Sequence, residues 1–203
     1  KFCQKIIMPY LTDSILSQKL FGIESDFVEK NPRKVKIYNE GDAFDKDKEI
    51  KLFTNDKAGK SGRARWFIAN KNIVESGQEY IDKWKVVVSS ANAGGQKRSS
   101  QISLIDNHSA FGRSRVALKA FNTKKEAENF KKYCLSNFVK FAFLLTDEAL
   151  SSLAKWVPDF QDYSKKNKFI DFDDDIDKQL FKLFGLTDAE KNYVIERAKE
   201  YKE

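Results

Sequence analysis

The chain is poor in the residues that build covalently stapled or metal-held folds. Its 203 residues include two cysteines, one histidine, one methionine and three prolines. Cys3 and Cys134 lie far apart, which excludes the disulfide framework of small secreted domains and suits a reduced compartment. A single histidine, His108, leaves too few soft ligands for a structural zinc site. No apolar run reaches the ~18–20 residues that a membrane-spanning helix needs. The opening residues, KFCQKIIMPY, lack a cleavable signal pattern, so the expected location is cytoplasmic, with no membrane partner. P-loop and GxGxxG patterns are also missing, which removes the usual phosphate cradles of nucleotide enzymes.

What is abundant is aromatic carbon and positive charge. Seventeen phenylalanines argue for a packed interior beneath a highly polar surface. The net charge of +7 is unevenly placed. Lys83, Lys85, Lys97, Arg98, Arg113, Arg115, Lys119, Lys124 and Lys125 share their stretch with one acid, Asp106, so residues 83–125 carry more than the whole excess. Concentrated positive charge is the footprint expected of a phosphate-binding surface.

Hydrophobic periodicity divides the chain by type of element. Leu11–Phe21 has helical character, with Gly22 as its stop. Short runs at Lys34–Asn39, Glu49–Thr54, Arg63–Ala69, KVVVSS, QISLID and RVALKAF read as strands, with QEYIDKW as a helical turn before the fourth. From Asn122 the period changes. Thr123 and Glu126 form a capping-box pattern ahead of one long helix with Ala127, Phe130, Cys134 and Phe138 facing the sheet. A second capped segment is expected from Thr146 to Pro158, and a third at Thr187 with Glu190, after a stop at Gly185. Strands first and helices last predict an α+β fold: a mixed, mostly antiparallel sheet from short strands in the first two thirds, capped helices packed on it and a C-terminal helical segment. Residues 1–164 are expected to form the main domain, with 1–20 as helical lead-in. QDYSKKNKFIDFDDD reads as a polar linker into a small helical hairpin, so 165–203 is expected to stand apart.

Candidate catalytic groups are few. Asp45, Glu49 and Lys51 carry the acid and Glu-x-Lys elements of a small metal-dependent nuclease, but Asp45 falls on a turn rather than a facing strand. The run Asp171–Asp177 fails as a calcium loop, having Ile176 and Lys182 where glycine and glutamate are needed, and suits a helix-capping role. Asp106 is the one acid near His108, which reads as structural. The stretch SSANAGGQKRSS instead supplies a DNA-reading inventory: serines and backbone amides for phosphates, Asn92 and Gln96 for adenine, Arg98 for guanine, and glycines that permit close approach. GRARW and GRSR add two more small-plus-arginine elements.

Six stretches in order then resemble the C-terminal target recognition (specificity) domain of adenine-specific DNA methyltransferases, especially those fused with a nuclease in single-chain type II restriction–modification enzymes. They are LFGIESDF (Leu20–Phe27), VKIY (Val35–Tyr38), KVVVSSANAGG (Lys85–Gly95), KAFNTKKEAENFKKYCLSNFVKFAFLL (Lys119–Leu145), LAKWVPDFQDYS (Leu153–Ser164) and DIDKQLFKLFGLTDAE (Asp175–Glu190). The resemblance implies sequence-specific recognition of double-stranded DNA on behalf of methyltransferase and nuclease domains upstream in the same polypeptide. It implies no catalytic centre in this stretch, with S-adenosylmethionine and magnesium belonging to the parent enzyme. The family's Asn- or Asp-Pro-Pro-Tyr motif has no counterpart, since Pro9, Pro32 and Pro158 are never adjacent. Leu20 also stands where the family usually has proline. The expected DNA-contacting residues are Arg63, Arg65, Lys85, Ser89, Ser90, Asn92, Gln96, Lys97, Arg98, Arg113, Arg115 and Lys119. Two other readings stay open: the small nuclease named above, and a single-stranded RNA binder stacking bases on Trp66, Phe67 and Trp84.

Overall fold

The computed structural model describes residues 8–54, 65–89, 102–145 and 157–199. The α+β expectation holds, with the strands divided between two sheets rather than one. β1 (Val35–Ile37), β2 (Glu49–Thr54), β3 (Arg65–Asn70) and β6 (Ser109–Phe111) form a four-stranded sheet in the order β1-β3-β2-β6. β4 (Trp84–Ser89), β5 (Ile102–Ile105) and β7 (Arg115–Phe121) form a three-stranded sheet in the order β5-β4-β7. Pairing is antiparallel throughout except for β2 with β6, where Lys51, Leu52 and Phe53 run parallel to Ser109, Ala110 and Phe111.

The period-two alternation of β4 explains how the two sheets are joined. Val86 and Val88 face a core shared with the helices, whereas Val87 between them enters a second core with Ile50, Leu52 and Phe67. In β7, Val116 and Leu118 join the first core and Ala117 the second. The three-stranded sheet is therefore a wall with a hydrophobic core on each side. Such a strand is buried on both faces, which is why VVV is unbroken by a polar residue.

The helices follow their caps. After α1 (Phe27–Lys30), α2 (Lys124–Cys134) starts on Thr123, whose hydroxyl oxygen accepts from the Glu126 amide at 3.3 Å. The Glu126 carboxylate takes the Thr123 hydroxyl at 2.6 Å. The expected single helix is two. The chain breaks at Leu135–Ser136, and Ser136 caps α3 (Asn137–Leu144) by accepting from the Val139 amide. α4 (Ile176–Leu183) and α5 (Asp188–Ala198) meet at Gly185, with φ +62°, and Thr187 with Glu190 forms the reciprocal box expected of it. The capped segment expected from Thr146 lies outside the described residues, save for Val157 and Pro158.

Two expectations are corrected. Leu11–Phe21 is not a regular helix: only Leu11–Ser14 makes a 3-10 turn. The Leu16 amide instead donates to Ala117 O of β7 at 2.9 Å, and Leu11 to Val157 O at 2.8 Å, so this segment is stitched to the fold. The supposed linker also packs. Tyr163, Ile170 and Phe172 are buried in the first core, Asn129 of α2 donates to Tyr163 O and Ser164 O, and Lys132 donates to Phe172 O. α4 and α5 share that core through Leu180, Phe181 and Val194, so the C-terminal segment does not stand apart.

Candidate nucleic-acid interface

Two cation-bearing connections leave the fold at one end. Residues 55–64 join β2 to β3 and carry Lys57, Lys60 and Arg63; residues 90–101 join β4 to β5 and carry Lys97 and Arg98. Their attachment points meet through the Gly112–Arg115 turn. The Gly112 amide donates to Phe53 O at 3.2 Å, next to Thr54, which pairs with Arg65 across β2 and β3. On the other side, Arg115 pairs with Ser89 across β7 and β4, while its guanidinium lies 4.6 Å from the Phe53 ring centroid. One aromatic–arginine stack thus connects the ends of both sheets.

Arg113 is a half-exposed cation at this junction. Its guanidinium donates to both Glu24 carboxylate oxygens, at 2.8 and 3.2 Å, with the arginine side chain 39% and the glutamate side chain 57% exposed. An ion pair this open contributes at most ~1 kcal/mol, so an incoming phosphate can replace the carboxylate at little cost.

Of three other expected contacts, Lys85 and Arg115 lie inside the protein, which corrects their assignment to a DNA-facing surface, and Lys119 is half-buried in an ion pair. Lys85 is fully buried and donates to Tyr80 O, Ile81 O and Lys83 O at 2.8, 2.9 and 2.6 Å. Burial pushes its ammonium down to about 7, against a smaller upward pull from Asp106 and Asp82. Arg115 is 5% exposed, and burial lowers its guanidinium to about 10. Lys119 is turned inward by a β-bulge: Val86 pairs with Lys119 and Val87 with Ala117, leaving Leu118 without an opposite residue. Its ammonium meets the buried carboxylate of Asp159 at 2.7 Å and lies over the Tyr163 ring. These cations support the scaffold. Arg63, Ser90, Asn92, Gln96, Lys97 and Arg98 lie outside the described residues. Arg65 and Ser89 are placed by their backbones at the ends of β3 and β4.

The groups of the nuclease reading are otherwise employed. The Glu49 carboxylate accepts from the Asp45 amide at 2.8 Å, and Lys51 pairs with Asp106. The Lys51 ammonium also lies 5.3 to 5.9 Å from the rings of Tyr38, Phe44 and Trp66. Burial raises the Asp106 carboxyl, but hydrogen bonds from Lys51, Ser109 and the His108 amide outweigh it and hold the group below its ordinary value. Among the described residues no three His, Cys, Asp or Glu side chains converge as metal ligands do. The proposed RNA platform is divided: Trp66 and Phe67 are successive residues of β3 and point to opposite faces, and Trp84 packs against the helix-side core. Compared with family models, with curated proteins and with solved structures, the chain matches none.

Proposed function

We propose that this chain is a sequence-specific double-stranded DNA recognition domain that sets the register for methyltransferase and nuclease domains of the same polypeptide. The observation that carries the reading is the common anchorage of the two cation-bearing connections around Gly112–Arg115. Five cations and one acid are attached there, on strand ends held by two cores. A rigid scaffold presenting variable polar loops is the usual division of labour in recognition. The six resembling stretches support it independently.

In this reading Lys57, Lys60, Lys97 and Arg113 neutralise phosphates, and Arg63 and Arg98 read bases in the major groove. Each phosphate contact steepens the logarithmic salt dependence of binding by ~0.9, and each forked arginine–guanine pair discriminates by ~1–3 kcal/mol. Ser89, Ser90, Asn92 and Gln96 supply the uncharged donors and acceptors.

Selection from a randomised duplex pool tests this directly. An enriched recurrent site is expected, with tight binding that falls steeply between low and high salt. Lys97→Ala weakens binding to every duplex alike, whereas Arg98→Ala relaxes the selected site at one position. A pool that emerges without a preferred site, or unchanged affinity in the folded double variant, overturns the reading. Cleavage of plasmid by the chain with magnesium would restore the nuclease alternative.

A further inference from the structure

An acid sits at the point where the two cation-bearing connections are anchored. Glu24 follows the buried Ile23, and the backbone of this pair lies against the Gly112–Arg113 turn. The Arg113 amide donates to Ile23 O at 3.0 Å, and a Cβ built on Gly112 would stand 3.5 Å from Glu24 O. The Gly112 amide on Phe53 O and the Arg115 amide on Gly112 O complete the turn. Backbone bonds alone therefore hold it, and the ion pair between the Arg113 and Glu24 side chains is an addition to a turn already fixed.

Other ion pairs in the protein have a structural use that this one lacks. Lys30–Asp26, Lys124–Glu128 and Lys191–Asp188 join positions three or four apart and support their own helices. Lys51–Asp106 and Lys119–Asp159 are largely withdrawn from solvent and tie separate elements together. Arg113–Glu24 is open to water and spans 89 positions at a turn that does not need it. Its setting is electrostatic instead. The connections anchored there carry Lys57, Lys60, Arg63, Lys97 and Arg98 with Asp56 as their acid, and Glu24 adds a second negative charge at their base. A guanidinium pairs with carboxylate and with phosphate through the same N–H donors, so one anion can take the other's place on Arg113.

We infer that Glu24 is an autoinhibitory acid: its carboxylate occupies the phosphate seat of Arg113 in the free protein and is displaced when a duplex backbone docks. The inference rests on the DNA reading above and names a contact that restrains it. Arg113 holds an anion before and after docking, so the exchange adds little to affinity, and the ejected carboxylate is left close to the arriving phosphate. Glu24 thereby holds back binding to any backbone, whatever its sequence. An open ion pair is weak, so the restraint is small: removing the acid should raise duplex affinity about two- to fivefold.

Equilibrium titration of the full chain with a labelled random-sequence duplex at low salt tests this, using surface variants checked for native circular dichroism. E24Q is expected to show the two- to fivefold gain, and R113Q a loss. In the R113Q background, E24Q is expected to give no gain, because the seat it guards is gone. D26N is the charge control: it removes one negative charge two positions away, from a carboxylate that pairs with Lys30 at 2.6 Å, and is expected to leave affinity near that of the native chain. A D26N gain as large as that of E24Q, or an E24Q gain that persists without Arg113, would reveal general repulsion and overturn the inference. Unchanged affinity in E24Q or R113Q overturns it too, while the DNA reading stands because the chain still binds duplex. Failure of the native chain to bind any duplex overturns both.

Discussion

At the scale of single residues, charge counted along the sequence is a poor guide to charge on the surface. Lys85, Arg115 and Lys119 are three of the nine cations that mark residues 83–125; the first two are buried and the third is half-buried against Asp159. Their strands were legible from β-branched and apolar neighbours. The groups that neutralise or seat cations were not, because they are remote: Asp159 is 40 positions from Lys119 and Glu24 is 89 from Arg113. Lys85 makes the point measurable. Burial places its folded titration at about 7, against 10.5 for the unconstrained side chain. Between those values the unfolded chain holds more protons than the folded one, so this group's penalty is complete below about pH 7 and is relieved as pH rises toward 10.5. Stability of the native protein should therefore increase relative to Lys85→Met, by roughly 1–3 kcal/mol between about pH 7 and 9, because a tenfold change in proton activity is worth ~1.4 kcal/mol. Urea midpoints of both proteins across that range provide the check. Parallel profiles would mean that the three carbonyls keep the ammonium charged throughout.

At the scale of elements, the local signals that work are those with a hydrogen-bonding mechanism. Thr123, Thr187 with Glu190, and Gly185 each mark a boundary that the structure reproduces. The break at Ser136 was hidden because Phe130, Cys134 and Phe138 keep helical spacing across it, all three packing in one core. β6 was hidden for another reason: three residues, all buried and paired in parallel with a strand far upstream, carry no alternation to read. Glycine shows how far local rules extend. Gly185 and Gly77 both have positive φ, +62° and +67°. A Cβ at Gly185 would meet nothing within 4 Å, whereas at Gly77 it would lie 2.6 Å from Leu20 O. Gly185→Ala should thus cost only the left-handed backbone penalty, ~1 kcal/mol. Gly77→Ala should cost two to three times as much, since a backbone carbonyl must also give way beside the 3-10 turn Gln78–Tyr80, whose Tyr80 carbonyl accepts from Lys85. Thermal unfolding of the two variants compares them, and equal losses would refute the steric argument.

At the scale of the whole molecule, the three-stranded sheet decides what can be separated from what. It divides the helix-side core from the core it shares with the four-stranded sheet, so neither sheet is complete without the other elements. Polarity made residues 161–175 look like a linker, yet its scattered aromatics are what count: Tyr163 stacks edge-on to Phe121 and Phe130, and Phe172 lies beside Tyr163. The acidic run Asp171–Asp177, which leads from it into α4, caps two helices. Asp175 accepts from the Lys178 amide of its own α4, and Asp177 accepts from the Asn137 and Phe138 amides that open α3. Cutting the chain after Ser164 would remove Ile170, Phe172, Leu180, Phe181, Phe184, Leu186 and Val194 from the helix-side core. Each such side chain contributes ~1.5–3 kcal/mol by burial, and a domain's whole margin is ~5–15 kcal/mol. A loss of that size is comparable to the whole margin. Residues 1–164 alone should therefore show no cooperative thermal transition and little near-ultraviolet circular dichroism, while the full chain unfolds in one step. A folded, cooperative 1–164 fragment would show instead that the helix-side core closes without its C-terminal third, and that the C-terminal helices are an appendage after all.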